Sequence, residues 1–131
     1  MSTMRSKWLW LAGEVVLAFL LLRTVDARDA AAFGAFLTED ATFLFGNLAP
    51  VAGRDAIVAF VEQFFAALDA VSHDVEADWW SGGRRCMHGR VSYTRADGYR
   101  LEVPFANVLD VSADGRVSCY RVFIDNSALF A

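Results

Sequence analysis

The same tripeptide interrupts the second half of this chain twice, as Ala96-Asp97-Gly98 and Ala113-Asp114-Gly115, each time between long β-type runs. Each copy suits a three-residue hairpin in which a type I turn is followed by a left-handed glycine, giving a G1 bulge. Loop length sets strand register, and register decides which side chains share a face. With Ala113-Asp114-Gly115 as the loop, Ser112 pairs with Arg116, which puts Asn107 opposite Arg121, Phe105 opposite Phe123 and Val103 opposite Asp125. Asn107, Arg121 and Asp125 are then expected on one apolar face with Leu101, Val103, Phe105, Leu109 and Phe123. The first hairpin adds Val91 and Tyr93 to that face and turns His88, Arg90, Ser92 and Glu102 away from it. It also separates Cys86 from Cys119, onto opposite faces. A two-residue Asp-Gly turn is the alternative, and it would exchange these assignments.

The strands are expected over His73 to Trp80, Arg85 to Arg95, Tyr99 to Val111 and Arg116 to Asp125. The first half reads differently. Ile57, Phe60, Val61, Phe64, Phe65 and Leu68 recur at helical spacing and leave Glu62 and Gln63 on the other side. A helix from Lys7 to Thr24 and a shorter one from Ala27 to Leu37 precede it, the latter with Asp26 as N-cap and Asp29 in its first turn. A short strand, Ala41 to Phe45, ends in the turn-rich run from Gly46 to Pro50. Helices followed by strands describe an α+β domain, and 131 residues with no linker or repeat describe a single one, spanning 1–131.

Composition narrows the function. With 56% hydrophobic and only 21% charged residues, the chain has more apolar side chains than one compact core uses, which points to a lined cavity, a subunit interface, or both. A net charge of -4 without any Lys/Arg cluster argues against nucleic acid. Two cysteines and two histidines fit no metal-ligand spacing, so no metal and no cofactor are expected, and the thiols suit a reducing, cytoplasmic compartment. Arg5, Lys7 and the apolar run from Trp8 to Leu22 look like a secretory signal, but Gly13 and Glu14 interrupt the run and no small-x-small site follows. The run is too short for a membrane span, and a first helix is the reading adopted.

Three stretches, "DARDAAAFGAFLTEDATF", "GNLAPVAGRDAIVAF" and "HGRVSYTRADGYRLEVPFANVLDVSADGRVSCYRVFIDNS", resemble the SnoaL-like, nuclear-transport-factor-2-like superfamily from about Lys7 to the C-terminus. That superfamily holds polyketide cyclases, limonene epoxide hydrolase, ketosteroid isomerase and scytalone dehydratase. The resemblance implies a cone-shaped, curved, mainly antiparallel sheet with three N-terminal helices enclosing a pocket, a cystatin-like α+β barrel. It implies a small apolar organic ligand and a homodimer through the outer sheet face, for which Trp80, His88 and Arg90 are candidates.

Residue by residue, Asp125 matches the acid/base carboxylate of the cyclases and the epoxide hydrolase, and Asn107 a substrate-binding or oxyanion-stabilising position. His73 and Asp26 match a histidine and an aspartate of the dehydratase. Phe45 stands where the isomerase has its general-base aspartate, and Ser92 where the epoxide hydrolase has a second carboxylate, so neither of those sites is complete. The candidate catalytic residues are therefore Asp125, His73 and Asp26. The candidate pocket residues are Asn107 and Arg121 with Phe45, Phe64, Trp79, Phe105 and Phe123. The plainer alternatives are that Asp125 pairs with Arg121 or caps the Asn126-Ser127 turn, and that Asp26 caps the second helix beside a half-exposed His73. An acid/base isomerase, cyclase or dehydratase and a non-catalytic binding scaffold both fit this set.

Overall fold

The structure, a computed structural model, describes residues 19–131. The expected first helix before residue 19, with all of its signal-like run up to that point, lies outside the described residues. What is described of that helix, α1, covers residues 19–26, two residues beyond the expected end. Its terminus is a Schellman motif: Asp29 N donates to Thr24 O at 2.9 Å, Arg28 N to Val25 O at 2.9 Å, and Arg28 takes the left-handed conformation (φ 55°). The Arg28 guanidinium secures the turn by donating to Leu68 O at 2.6 Å.

This turn corrects the expected second helix. A chain reversed at Arg28 cannot begin a new helix at Ala27, so α2 is only Ala30–Gly34, and its N-cap is Asp29, whose carboxylate accepts from Ala32 N. Asp26 is left free for another partner. Strand β1 (Leu37–Phe45) is longer than its apolar tail implied, and β2 (Val51–Ala52) is a two-residue addition that pairs back onto it. Helix α3 (Arg54–Ala66) follows, with Ile57, Val61 and Phe65 buried, as the spacing predicts. Then come β3 (Leu68–Ser81), β4 (Arg84–Arg95), β5 (Arg100–Val111) and β6 (Val117–Ile124), and a final 3-10 turn, Ser127–Phe130.

The six strands form one mixed sheet in the order β2-β1-β6-β5-β4-β3. All neighbours are antiparallel except β1 and β6. The sheet is open, with β2 and β3 at its edges, rather than closed into a barrel. The helices cover one face, and the core lies between them and that face, with Phe33, Phe43, Phe45, Ile57, Leu109 and Tyr120 among its buried members.

Both Ala-Asp-Gly hairpins form with glycine at positive φ. The β4–β5 register agrees with the three-residue loop, pairing Tyr93 with Leu101 and Val91 with Val103. The second hairpin also opens as expected, with Ser112 N donating to Arg116 O at 2.8 Å. One step further it departs. Val111 pairs with Val117 but Asp110 pairs with Cys119, so Ser118 is an extra residue, and its hydroxyl donates to Asp110 O at 3.2 Å. A bulge moves every later side chain of β6 to the other face. Asn107 therefore faces Val122, and Phe105 faces Ile124.

Candidate functional site

The bulge at Ser118 divides the expected pocket residues into two groups. Arg121, Phe123 and Asp125 lie on the outer face. Arg121 is paired there with Asp110 through two contacts of 3.1 Å, and Phe123 is 58% exposed. Asp125 is exposed, and it accepts from Ser127 Oγ at 2.7 Å and Ser127 N at 3.3 Å, the turn-capping arrangement. These bonds hold its carboxyl below the usual carboxylate range, the opposite of the upward shift that suits a proton shuttle near neutral pH. Trp79 is outward as well, 47% exposed against His88, because a second bulge, between Val75 and Ala77, changes the phase of β3. The same bulge turns Trp80 inward, opposite the buried Arg85, so it is not an outer-face residue. His88 and Arg90 do face outward, beside Glu76 and Glu102 respectively. Cys86 and Cys119 share that face after all, but β5 runs between their strands. Two strand spacings of about 4.8 Å each exceed the reach of a disulfide.

The inner face keeps Asn107, Phe45, Phe105 and Phe64, and brings His73 to Asp26. His73 Nδ1 stands 2.5 Å from Asp26 Oδ1, and the His73 backbone N–H donates to Asp26 Oδ2 at 3.3 Å. The imidazole is only 8% exposed, and the carboxylate 34%. One carboxylate thus holds both the main chain and the ring of the same residue. With Nδ1 as the donor to a carboxylate, Nε2 is the basic nitrogen. The ring stands edge-on to Phe105, centroids 5.1 Å apart. Gly89, on the intervening strand between Val75 and Phe105, puts no side chain in the way.

Two ladders of side chains cross the rest of this face. Asp78, Met87, Asn107, Val122 and Phe45 form one line across β3, β4, β5, β6 and β1, and Trp80, Arg85, Leu109, Tyr120 and Phe43 form the next. Asn107, 2% exposed, donates from Nδ2 to the Tyr120 hydroxyl at 3.3 Å. Its Oδ1 is buried and has no hydrogen-bond partner among the described residues. Tyr93 and Tyr120 are buried phenols, both pushed well above the usual tyrosine range by desolvation and, less strongly, by the Asp26 charge. They stay neutral hydroxyls and can donate to an oxygen that gains charge.

Tyr93, Tyr120 and the Arg85–Asp78 pair were not among the expected site residues. Tyr120 was hidden by the register error, and a signal for it did exist: Tyr120, Val122 and Ile124 alternate with Arg121 and Asp125 as an inward-facing set would. Among the described residues, no group of His, Cys, Asp and Glu could hold a metal ion. No helix among them is long and apolar enough to cross a membrane.

A family profile described as a SnoaL-like domain matches residues 18–120. No curated protein matches the chain significantly. Among solved structures, a protein described as a SnoaL-like polyketide cyclase from Shewanella denitrificans is similar at a TM-score of 0.78 and 14% identity, covering 89% of this chain and 93% of the other. A Catenulispora acidiphila protein with a ketosteroid isomerase-like fold, in complex with trimethylamine, gives 0.77 and 14%, with 85% and 86% covered. SalBIII, an epoxide hydrolase/cyclase-like enzyme with a role in pyran ring formation in the polyether salinomycin, gives 0.76 and 18%, with 87% and 92% covered.

Proposed function

The chain belongs to the SnoaL-like domain family, and on that premise we propose that it is a cofactor-independent acid/base enzyme of the cyclase, isomerase or dehydratase kind, acting on a small apolar oxygenated molecule. The observation that carries the proposal is the buried His73 imidazole held by Asp26 at 2.5 Å on the inner, apolar face. A histidine oriented and charge-balanced in this way is a general base, and the carboxylate need not take the proton itself.

The chemistry is proton abstraction beside a carbonyl. His73 Nε2 removes a proton from the α-carbon, and the C–H electron pair moves into the carbonyl, leaving an enolate oxygen. A neutral phenol, Tyr93, donates to that oxygen. In the cyclase form the enolate carbon attacks a second carbonyl of the same molecule, and the proton on Nε2 passes to the new alkoxide. Returning the proton to another carbon gives isomerisation, and losing the β-hydroxyl as water gives dehydration. The ring-forming role of SalBIII and the cyclase description of the Shewanella protein agree with this by analogy of fold alone.

A second copy of the chain is placed on the outer face. Phe123 and Trp79 are exposed there, and a groove of about 500 Å³ runs between His88, Arg90, Pro104 and Phe123. Burying these rings would remove apolar surface that a lone subunit leaves in water. The free thiols of Cys86 and Cys119 are the ground for a cytoplasmic placement.

The test is deuterium incorporation from heavy water into the α-carbon of an aryl alkyl ketone, followed by NMR. Wild-type protein is expected to accelerate exchange over buffer, and His73→Ala to lose most of that acceleration while keeping its circular dichroism spectrum. Equal acceleration by both would overturn the proposal.

A further inference from the structure

Arg85 is a buried cation to which the chemistry above gives no task. Only 4% of the residue is exposed, although it stands on the inner face in line with Leu109 and Tyr120. Asp78 takes its Nε at 2.5 Å and its Nη2 at 2.6 Å, and the guanidinium carbon lies 5.3 Å from the Trp80 ring centroid. No described residue accepts from Nη1. A bidentate carboxylate on one edge and a ring against the group fix the plane of the guanidinium, so its remaining edge is held in one orientation. The Asp78 side chain is 32% exposed, so the pair borders solvent rather than sitting in sealed core.

Asn107 is diagonal to Arg85 on the adjacent strand, since its direct partner is Met87 and Arg85 is two residues away. Diagonal neighbours of this kind lie roughly 7–8 Å apart, a gap that a long side chain and one small polar group can bridge. Asn107 brings a buried acceptor, Oδ1, with no partner among the described residues. A buried amide oxygen without a partner is costly, and an occupant that donates a hydrogen bond removes that cost.

We infer that Arg85 and Asn107 form a donor and acceptor pair that binds the oxygenated end of the substrate, a hydroxy-carbonyl unit whose carbonyl accepts from Arg85 and whose hydroxyl donates to Asn107. This deepens the acid/base reading and rests on it for the word substrate. His73 lies on the ladder of Val91 and Val103, four residues along β4 and β5 from that of Met87 and Asn107. At about 3.3 Å per residue this is roughly 13 Å of strand, shortened in space by the curvature of the sheet. The anchored oxygens and the carbon that loses its proton therefore belong to opposite ends of one molecule. Asp78 is a positioning residue, acting through Arg85.

The test uses three probes that proton exchange does not convert into another compound: naphthalenes carrying a carboxamide, an acetyl or an isopropenyl group at the same ring position. They present donor and acceptor, acceptor alone, and neither, in nearly one shape. Wild-type protein is expected to bind them in that order by titration calorimetry, each step worth about three- to tenfold. Replacing the ion pair by apolar residues, as Arg85→Leu with Asp78→Leu, avoids leaving a lone buried charge. That double variant should lose the advantage of acetyl over isopropenyl. Asn107→Leu should lose the advantage of carboxamide over acetyl. In both variants the affinity for the isopropenyl probe should hold, a readout that a merely structural role for these residues would not preserve. Equal binding of the three probes to wild type, or an order unchanged in both variants, overturns the inference. Proton exchange leaves each probe the same compound and binding is read apart from it, so that result leaves the His73 reading standing, and loss of the His73 reading leaves this one.

Discussion

Asp26 occupies the last helical position of α1, and its carboxylate binds the ring of His73, 47 residues away in sequence. A carboxylate at the C-terminal end of a helix faces the negative pole of the dipole, which costs about 0.3–1 kcal/mol. The placement is therefore unfavourable for the helix alone and is offset by the imidazole. Asp26→Asn keeps the shape of the side chain and removes the negative charge beside the ring. The α-proton exchange rate should fall on the order of 10²-fold, with probe affinity changed by less than about threefold, in steady-state kinetics and calorimetry.

Gly89 is where β4 passes the bulge of β3. A Cβ at this position would sit well inside van der Waals contact with the Asp74 carbonyl oxygen, a backbone atom that cannot rotate away. Gly89→Ala should destabilise the protein by about 1–3 kcal/mol in urea unfolding. At Gly98, on an exposed turn with open space around it, the cost comes only from its positive φ of 89°, so Gly98→Asn should cost less than Gly89→Ala.

Asp110 is held below the usual carboxylate range by Arg121 first, then by Arg84. A carboxyl depressed in the folded state adds stability that is present above its unfolded pKa of about 3.9 and lost as pH falls through the folded value. Asp110→Asn should therefore cost on the order of 1 kcal/mol at neutral pH, reduced by solvent screening, and nothing at the acid end. Unfolding measured against pH should show the two proteins converging as acid is added.

Tyr93 and Tyr120 have the opposite sign. Their folded pKa lies above the free phenol value near 10, so the stability they add is complete below about pH 10 and is lost as pH rises toward the folded value. Tyr93 and Tyr120 should contribute no tyrosinate absorbance in the folded protein around pH ~10–11. Both should ionise together with unfolding.

The α+β order, the α3 stripe and the β4–β5 register were legible because each rests on local periodicity or on loop length. Two extra residues were not. Ser118 and the bulge between Val75 and Ala77 leave no local mark, yet they reverse the faces of Arg121, Phe123, Asp125, Trp79 and Trp80. Alternation carries a register forward only until the first inserted residue. The end of α1 was misread for a related reason: the left-handed Arg28 is a non-glycine residue, so the sequence around Asp26 looks like the start of a helix rather than the end of one. The pairing of His73 with Asp26 was within reach only through family resemblance, since no spacing rule joins an α1 carboxylate to a β3 imidazole.

Under the proposed function, acid/base chemistry belongs to the inner His73 and not to the outer Asp125. The two positions are told apart by α-proton exchange into an aryl alkyl ketone, measured for His73→Ala and Asp125→Asn side by side with wild type. The expected result is loss of exchange in His73→Ala and a rate within about twofold of wild type in Asp125→Asn. Loss of exchange in Asp125→Asn with His73→Ala unaffected would move the acid/base role to the outer face and overturn the assignment to His73.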